Sequence, residues 1–226
     1  MLATKVSRIE GSGMTVDDRI ERAGLLYERA VFGGDAAAPA AAERELDGVE
    51  ADLALARGRV IHARFLAERN EDPRELALFE RAAQLYQLLG DVRGEGEALF
   101  WVGTFHQVVR RDQAAAVPAL ERAHQLATLA GDKLTLSYVL RHLGFAEQAA
   151  GRVAAARERL EESVRLRREV GFLPGVAANL VGLAYLAAGE GRRDEALSLL
   201  EQAGTICEAS GAAGILRMVE QARAQL

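Results

Sequence analysis

Apolar and small residues recur down the second half of this chain at intervals of 40 or 41 residues. Three columns share the interval: Phe79, Leu120, Leu160 and Leu200; Ala82, Ala123, Ser163 and Ala203; and Leu85, Leu126, Leu166 and Ile206. Each segment ends at a glycine, a residue that enters the left-handed conformation at little steric cost and so ends a helix; these are Gly90, Gly131, Gly171 and Gly211. A period of this length predicts stacked helical hairpins, and therefore an all-α protein built as an α-solenoid.

The helices of the N-terminal part follow from start and stop signals. A first helix is predicted from Thr15 to Phe32, before Gly33-Gly34-Asp35. Residues 36–42 read as a loop or as the start of the next helix, and we favour a helix from about Ala40. From there to Arg69 the apolar spacing predicts one long helix, or two helices joined at Gly58.

The remaining helices pair as hairpins. Asp72-Pro73 starts a helix over 73–89, and the later pairs are 92–108 with 113–130, 134–150 with 153–170, and 175–188 with 193–210. In the last pair the loop 189–192 is longer than its counterparts and the linker 171–174 shorter. The predicted organisation is a leader that is either flexible or non-native (1–14), an N-terminal helical segment (15–47), four hairpins (48–91, 92–132, 133–172 and 173–212) and a capping helix (213–226).

Composition and charge exclude several classes of protein. The formal net charge is −5 and the pI about 5.5, so no positive field attracts nucleic acid. No apolar run approaches the ~20 residues that span a bilayer, and the N-terminus lacks the apolar core of a signal peptide. Cys207 stands in an apolar helical stretch and is predicted to be a buried hydrophobe. We therefore expect a cytoplasmic protein without membrane contact, and the abundance of Ala, Arg and Gly suggests a bacterial source.

Short motifs in the predicted helices carry a family resemblance. First helices contain Leu99-Xaa-Xaa-Val102-Gly103, Leu140-Xaa-Xaa-Leu143-Gly144 and Ala178-Xaa-Xaa-Val181-Gly182, and second helices contain Ala116, Leu120 and Ala123, then Ala156, Leu160 and Ser163, then Ala196, Leu200 and Ala203. The chain resembles the tetratricopeptide repeat family, well over 92–212 and less closely over 48–91, where Glu75 replaces the expected alanine. The spacing exceeds the standard ~34 residues and is similar to the long variant of kinesin light chains and of bacterial regulators.

The resemblance implies a right-handed superhelix whose first helices line a concave groove. The positions three before, one after and four after the small residue of each first helix would face it: Phe100, Thr104 and Gln107; Arg141, Phe145 and Gln148; Asn179, Leu183 and Leu186. Trp101, Tyr138 and His142 lie close enough to reach it. The aromatic and amide side chains suit an extended peptide, and Arg141 suits a carboxylate. For Trp101 and Phe105, packing between helices is the favoured interpretation, and for Phe100 and Phe145 both the groove and the core stay open.

Enzyme motifs find no support. The chain has no phosphate-binding loop, and Gly94-Glu95-Gly96 lacks the strand and third glycine of a dinucleotide site. His62, His106, His124 and His142 form no pair at metal-ligand spacing, so no metal or cofactor is expected. The carboxylates of 158–162 alternate with arginines, Arg167 among them, as on a solvated ion-paired face.

These observations predict a non-catalytic scaffold that binds a peptide or a protein segment in the groove. The alternative is a sensory module that binds a small peptide or metabolite and acts through a transcriptional-regulator partner, since no DNA-binding helix-turn-helix is evident. An enzyme without a sequence motif is a third hypothesis. Self-association as a homodimer also stays open, because an apolar patch on the N-terminal helices would need a cover.

Overall fold

The computed structural model describes residues 16–225, apart from the side chain of Asp17. Over this range the chain forms ten α-helices and no strand: α1 Val16–Gly33, α2 Ala38–Glu68, α3 Arg74–Leu89, α4 Val92–Thr104, α5 Gln113–Leu129, α6 Lys133–Ala149, α7 Val153–Glu169, α8 Leu173–Gly189, α9 Arg193–Ser210 and α10 Ala213–Gln225. The predicted leader 1–14 and the helix start at Thr15 lie outside the described residues.

Consecutive helices pair into hairpins, which stack in sequence. The pairs are α2 with α3, α4 with α5, α6 with α7, and α8 with α9, while α1 packs on α2 and α10 covers α9 and α8. The two leading columns of the sequence period form the core, because every one of their eight side chains has no exposed surface. The all-α solenoid is therefore confirmed.

The N-terminal part contains one long helix. α2 runs for 31 residues without a break, so it crosses the predicted boundary between residues 47 and 48. Gly58 lies inside it because the ring of Phe79 occupies the adjacent space: a Cβ at Gly58 would stand 2.5 Å from Phe79 Cε1. Of the two alternatives that the sequence left open, the single helix is the one that forms, and it starts at Ala38 rather than at about Ala40.

Two of the connections between hairpins have the same local structure. Gly90 and Gly131 adopt the left-handed conformation, with φ of 73° and 65°. The aspartate that follows each one caps the next helix: Asp91 Oδ1 accepts a hydrogen bond from Gly94 N at 2.9 Å, and Asp132 Oδ1 accepts one from Thr135 N at 3.1 Å. The Gly-Asp pairs thus end one hairpin and start the next.

A π-helical turn explains why one interval of the repeat is 41 residues rather than 40. α4 continues from Phe105 to Val109 with π-helical geometry, which accommodates one extra residue within a helix. Gly103 precedes its core partner Leu120 by one residue more than Gly144 precedes Leu160. The added residue is therefore absorbed between Gly103 and Leu120, and the later columns stay aligned.

In the fourth hairpin the structure shows that the sequence alignment was displaced. α8 begins at Leu173, two residues earlier than predicted, and the three-residue connections on either side of it match those around α6, so the loop before α9 is not longer than its counterparts. The residue equivalent to Gly144 is consequently Ala184, which is 1 % exposed, and not Gly182. Because the alignment was displaced by two residues, the groove positions inferred for α8 were displaced as well.

Candidate functional site

The first helices of the hairpins, α2, α4, α6 and α8, present a continuous surface that we call the first-helix face. α4 contacts α6 directly, and side chains bridge each successive pair. In one bridge Arg59 of α2 donates to Glu97 of α4, with 3.1 Å between Nη1 and Oε1. In the next, the rings of Phe100 and Tyr138 lie 5.5 Å apart. This face is where the sequence predicts a ligand.

A cleft of about 240 Å³ opens on this face between α2, α4 and α6. Its apolar wall consists of Phe100, Trp101, Leu134 and Tyr138, and charged side chains border it. Trp101 stacks on the buried ring of Phe79 at 5.5 Å on one side and receives the guanidinium of Arg59 at 5.6 Å. The cleft therefore combines a fixed aromatic surface with a charged rim.

The rim of the cleft carries both signs of charge. Arg59 pairs with Glu97, and Arg93 Nε donates to Asp132 Oδ2 at 3.2 Å. Both arginines are mostly exposed. The Arg59–Glu97 pair contributes little to stability because it is solvent-exposed, whereas Asp132 is largely buried and also accepts hydrogen bonds from Thr135.

Arg141 lies next to the cleft and crosses from α6 to α8. It donates through Nη1 to the backbone oxygen of Ala178 and to Asn179 Oδ1, both at 2.7 Å. The small residues Ala178 and Gly182 on α8 leave the space that the guanidinium fills, and the ring of Phe145 covers it at 4.6 Å. Arg141 is thus held in one position by two helices.

Beneath Arg141 a buried polar network joins α6, α7 and α8. Asn179 has no exposed surface; its Oδ1 also accepts from Arg167 Nη1 at 3.0 Å, and its Nδ2 donates to Ser163 Oγ at 2.6 Å. Ser163 in turn donates to the backbone oxygen of Ser137.

Arg167 further donates to the backbone oxygen of Gly175 at 2.7 Å, and its guanidinium lies over the rings of Tyr138 and Phe172. The network fixes the position of Asn179, and through it that of Arg141.

The two arginines of this network have no carboxylate partner. Within residues 16–225 neither Arg141 nor Arg167 forms an ion pair, and Arg167 Nη2 is buried without a hydrogen bond. Burial lowers the pKa of Arg141 to about 9, with a further contribution from the charge of Arg167, and burial lowers the pKa of Arg167 to about 10. Both remain protonated at neutral pH. The site therefore contains two positive charges that no protein anion compensates.

His142 is the neutral member of the site. Burial, together with the charges of Arg141 and Arg167, lowers its pKa to about 3. Its Nδ1 lies 2.7 Å from Gln107 Oε1, and Gln107 Nε2 donates to the backbone oxygen of His142 at 3.0 Å. Since Oε1 can only accept, Nδ1 carries the proton. The ring packs against Phe100 and Phe145 and closes the aromatic row between α4 and α6.

The residues predicted to line the groove divide into three groups. Five of them are partly exposed on the first-helix face: Trp101, Tyr138, Arg141, His142 and Phe145. Gln148 is exposed at the edge of the face. Phe100, Thr104, Gln107 and Asn179 are buried. Leu183 and Leu186 are also buried, because the alignment of α8 was displaced; the equivalent positions are Val181, Tyr185 and Ala188. Phe100 borders the cleft, and the other buried members support the face from beneath.

Sequence reasoning missed two residues of the site. Arg167 was placed on the solvated face of α7, but it is 1 % exposed and shares a column with Ala127 and Cys207 of the neighbouring hairpins. Ser163 was seen only as a departure from the family alanine. The signal was available: polar residues stand at positions where the other repeats place apolar ones.

Residues 16–225 contain no cluster of three or more His, Cys, Asp or Glu side chains arranged to hold a metal ion. No helix in the same range has the length and apolar character needed to cross a membrane.

The fold and the face define a helical-repeat solenoid with a candidate binding surface on its first helices. A family model described as tetratricopeptide repeat matches residues 135–209, from the first turn of α6 to the last turn of α9. The match covers the two hairpins that carry the buried network. A search of the curated proteins found no match. The match supports tetratricopeptide repeats over residues 135–209, and members of that family typically serve as non-enzymatic scaffolds.

Proposed function

We propose that this chain is a non-catalytic module that binds a peptide or a protein segment on the first-helix face. Tetratricopeptide repeats generally mediate protein–protein interaction. The observation that carries the proposal is the pair of uncompensated arginines, Arg141 and Arg167, beside a partly exposed aromatic cleft. A surface that only closed the fold would not need buried cations without counter-ions.

The cleft supplies the apolar part of recognition. Trp101 and Tyr138 are held by Phe79, Phe100 and Arg167, so they present aromatic area without an ordering cost on binding. The volume of about 240 Å³ accommodates one large side chain rather than a folded domain. We therefore infer that the bound segment inserts a single apolar or aromatic side chain.

Arg141 binds the anionic group of the ligand. Its Nη1 is used within the fold, while its other N–H groups have no hydrogen bond to the described chain. A carboxylate, either a side chain or a chain terminus, would bond to these groups and offset the two positive charges. The acidic group would stand next to the inserted side chain, because Arg141 adjoins Tyr138 and His142 on α6.

Two finer assignments remain part of the proposal. The repeat length of 40 or 41 residues supports the long-repeat variant of the family. The sensory alternative would require the face to close around a small ligand, and no observation on this chain favours it over a segment-binding scaffold.

A selection from a random peptide library displayed on phage tests the proposal, with fluorescence as the readout. Trp101 is the only tryptophan in the chain, so its emission reports directly on the cleft. Selected peptides are expected to combine an aromatic or large apolar residue with a nearby acidic residue, and to shift the emission of Trp101 on titration.

Two variants and a control locate the binding. Arg141→Met removes the charge but keeps an unbranched side chain beneath Phe145, and Arg59→Ala opens the rim of the cleft. Arg165→Ala is the matched control, because Arg165 is an ion-paired arginine on the opposite helix of a hairpin. Binding should weaken at least about tenfold in the first two variants and stay unchanged in the control. Equal affinities in all three, or peptides without acidic residues, would contradict the proposal.

A further inference from the structure

The exposed apolar residues of this protein are concentrated at its N-terminal end. More than half of the large hydrophobic side chains that are exposed within residues 16–225 belong to α1 and α2. On α2, Leu46, Leu53 and Val60 are 46, 47 and 55 % exposed and follow each other at seven-residue intervals. Val49 and Ala56 fall between them, at the alternating spacing of three and four residues that defines a coiled-coil seam. We call these five residues the α2 stripe.

The α2 stripe is left uncovered by the neighbouring helices. α2 is about 46 Å long at 1.5 Å per residue, whereas the 18-residue α1 packs only along its first half, where Arg19 pairs with Asp52. α3 packs on another side, through Phe79 against Gly58 and Glu75 against His62. No described helix packs over the α2 stripe.

The charged residues on one side of the α2 stripe are acidic along its first half and basic along its second half. Glu43 and Glu50 flank the first half on one side, and Arg57 and Arg64 flank the second half on the same side. Glu43, Arg57 and Arg64 make no hydrogen bond or ion pair within the described residues, while Glu50 is held by Arg81 of α3. A helix with one acidic and one basic half is complementary to its own copy in the antiparallel direction.

We propose that α2 is the interface of a homodimer in which two copies of this helix pack antiparallel about a twofold axis near residues 54–55. One alignment satisfies the apolar and the charged residues together. Leu53 then packs against Ala56 of the second copy and Val49 against Val60. In the same register Glu50 faces Arg57 of the second copy, and Glu43 faces Arg64. The contact is isologous, so every pair occurs twice.

The opposite direction is disfavoured by charge. In a parallel pair, the flanking positions five residues apart face each other across the seam. Glu45 would then meet Glu50 and Arg59 would meet Arg64, two repulsive contacts against the single attractive contact of Asp52 with Arg57. The repulsion selects the antiparallel arrangement.

A cleft on the second half of α2 also suits the α2 helix of a second copy. It measures about 870 Å³ and lies between α2 and α3, with Ala56, Val60, Ile61 and Leu78 at its base and Arg57 and Arg64 at its edge. The antiparallel alignment brings the acidic first half of the second copy's α2 over this cleft. Val49 of that copy then lies against Val60, with Glu43 and Glu50 toward the arginines. A second copy is therefore preferred over an unrelated basic or neutral helix.

Sedimentation equilibrium of the full chain between about 1 and 100 µM tests the proposal. The expected result is a reversible dimer of the 24.3-kDa chain. Leu53→Glu, at the centre of the stripe, should raise the dissociation constant at least about tenfold. Leu129→Glu is the control, because Leu129 is an exposed leucine on α5, far from α2 in the sequence, and it should leave the constant unchanged.

A charge exchange tests the direction and register. Glu43→Arg alone places two arginines opposite each other at both ends of the seam and should weaken the dimer. Combining it with Arg64→Glu restores two opposite-charge pairs and should restore the dimer. A chain that stays monomeric at 100 µM, or a double variant weaker than the single one, would overturn the proposal; a monomer would leave the stripe to a different protein.

Discussion

Gly103 and Gly144 occupy the same position in successive first helices, yet the structure predicts different responses to an added methyl group. A Cβ at Gly103 would lie 2.6 Å from Leu120 Cγ, 2.8 Å from Leu120 Cδ2 and 3.2 Å from the backbone oxygen of Ala116. Leu120 has no exposed surface and therefore no free space to move into. At Gly144 the nearest atoms, the backbone oxygen of Ala156 and Leu160 Cγ, are both at 3.3 Å.

Two effects decide the stability of the alanine variants. Replacing glycine by alanine inside a helix stabilises by about 1 kcal/mol, while overpacking a core costs about 1–3 kcal/mol. For Gly103→Ala the cost lies at the upper end, so we expect a net loss of about 1–2 kcal/mol. For Gly144→Ala a shift of a few tenths of an ångström suffices, and the change should stay within about 0.5 kcal/mol of zero. The fourth hairpin already carries alanine at this position, as Ala184.

Urea unfolding followed by far-ultraviolet circular dichroism measures the difference, with equal slopes required for the comparison. Gly24→Ala is the control, since no atom lies within 4 Å of a Cβ there and the variant should gain about 0.5–1 kcal/mol. The midpoints should fall in the order Gly24→Ala, then wild type and Gly144→Ala together, then Gly103→Ala. A Gly103→Ala variant as stable as the wild type would refute the close packing of α4 on α5.

Three further predictions concern the buried polar groups. Ser163→Ala restores the family residue but removes the acceptor of Asn179 Nδ2, so it should destabilise by about 1–3 kcal/mol in urea unfolding, whereas the exposed Ser198→Ala should change nothing. The pKa of His142 is lowered in the folded state, so below pH 6.5 the unfolded chain binds a proton that the folded chain does not. The free energy of unfolding should therefore fall by up to about 1.4 kcal/mol per pH unit towards pH 5. A His142→Gln variant whose free energy of unfolding falls equally steeply with pH would contradict this. Burial raises the pKa of Cys207, so an aromatic disulfide reagent should label the native thiol slowly and the urea-unfolded thiol at once; rapid native labelling would show that α9 does not cover it.

The sequence predicted the architecture well because the period is carried by the side chains that pack the hairpins together. Phe79, Leu120, Leu160 and Leu200 could be aligned without knowing their contacts, and all four proved to be fully buried. Glycine and aspartate at the joints gave helix ends to within two residues, since their effect is local. Tertiary context decided only the details: whether α2 would break at Gly58, and where α8 begins.

The candidate site was harder to predict because its polar residues depend on other helices. Asn179 looked like a surface amide, but it stands at a core position where α6 has Val139, and it is satisfied by Ser163 and Arg167 of α7. A two-residue error in aligning α8 sufficed to move it to the predicted groove. Arg167 was misplaced for a related reason: charge spacing along one helix does not reveal that the next hairpin covers it.

The buried network connects the stability of the repeats with the anion binding proposed at Arg141. Asn179 Oδ1 accepts a hydrogen bond from both arginines, so the position of one guanidinium depends on that of the other. Their charges oppose folding, because burial disfavours the charged form of each. An anion on Arg141 would remove part of this cost in the folded state only, so ligand binding and the docking of α6 on α8 must stabilise each other. The repeats that keep an apolar residue at these positions gain stability but offer no such coupling, which explains why the departures from the repeat pattern coincide with the candidate site.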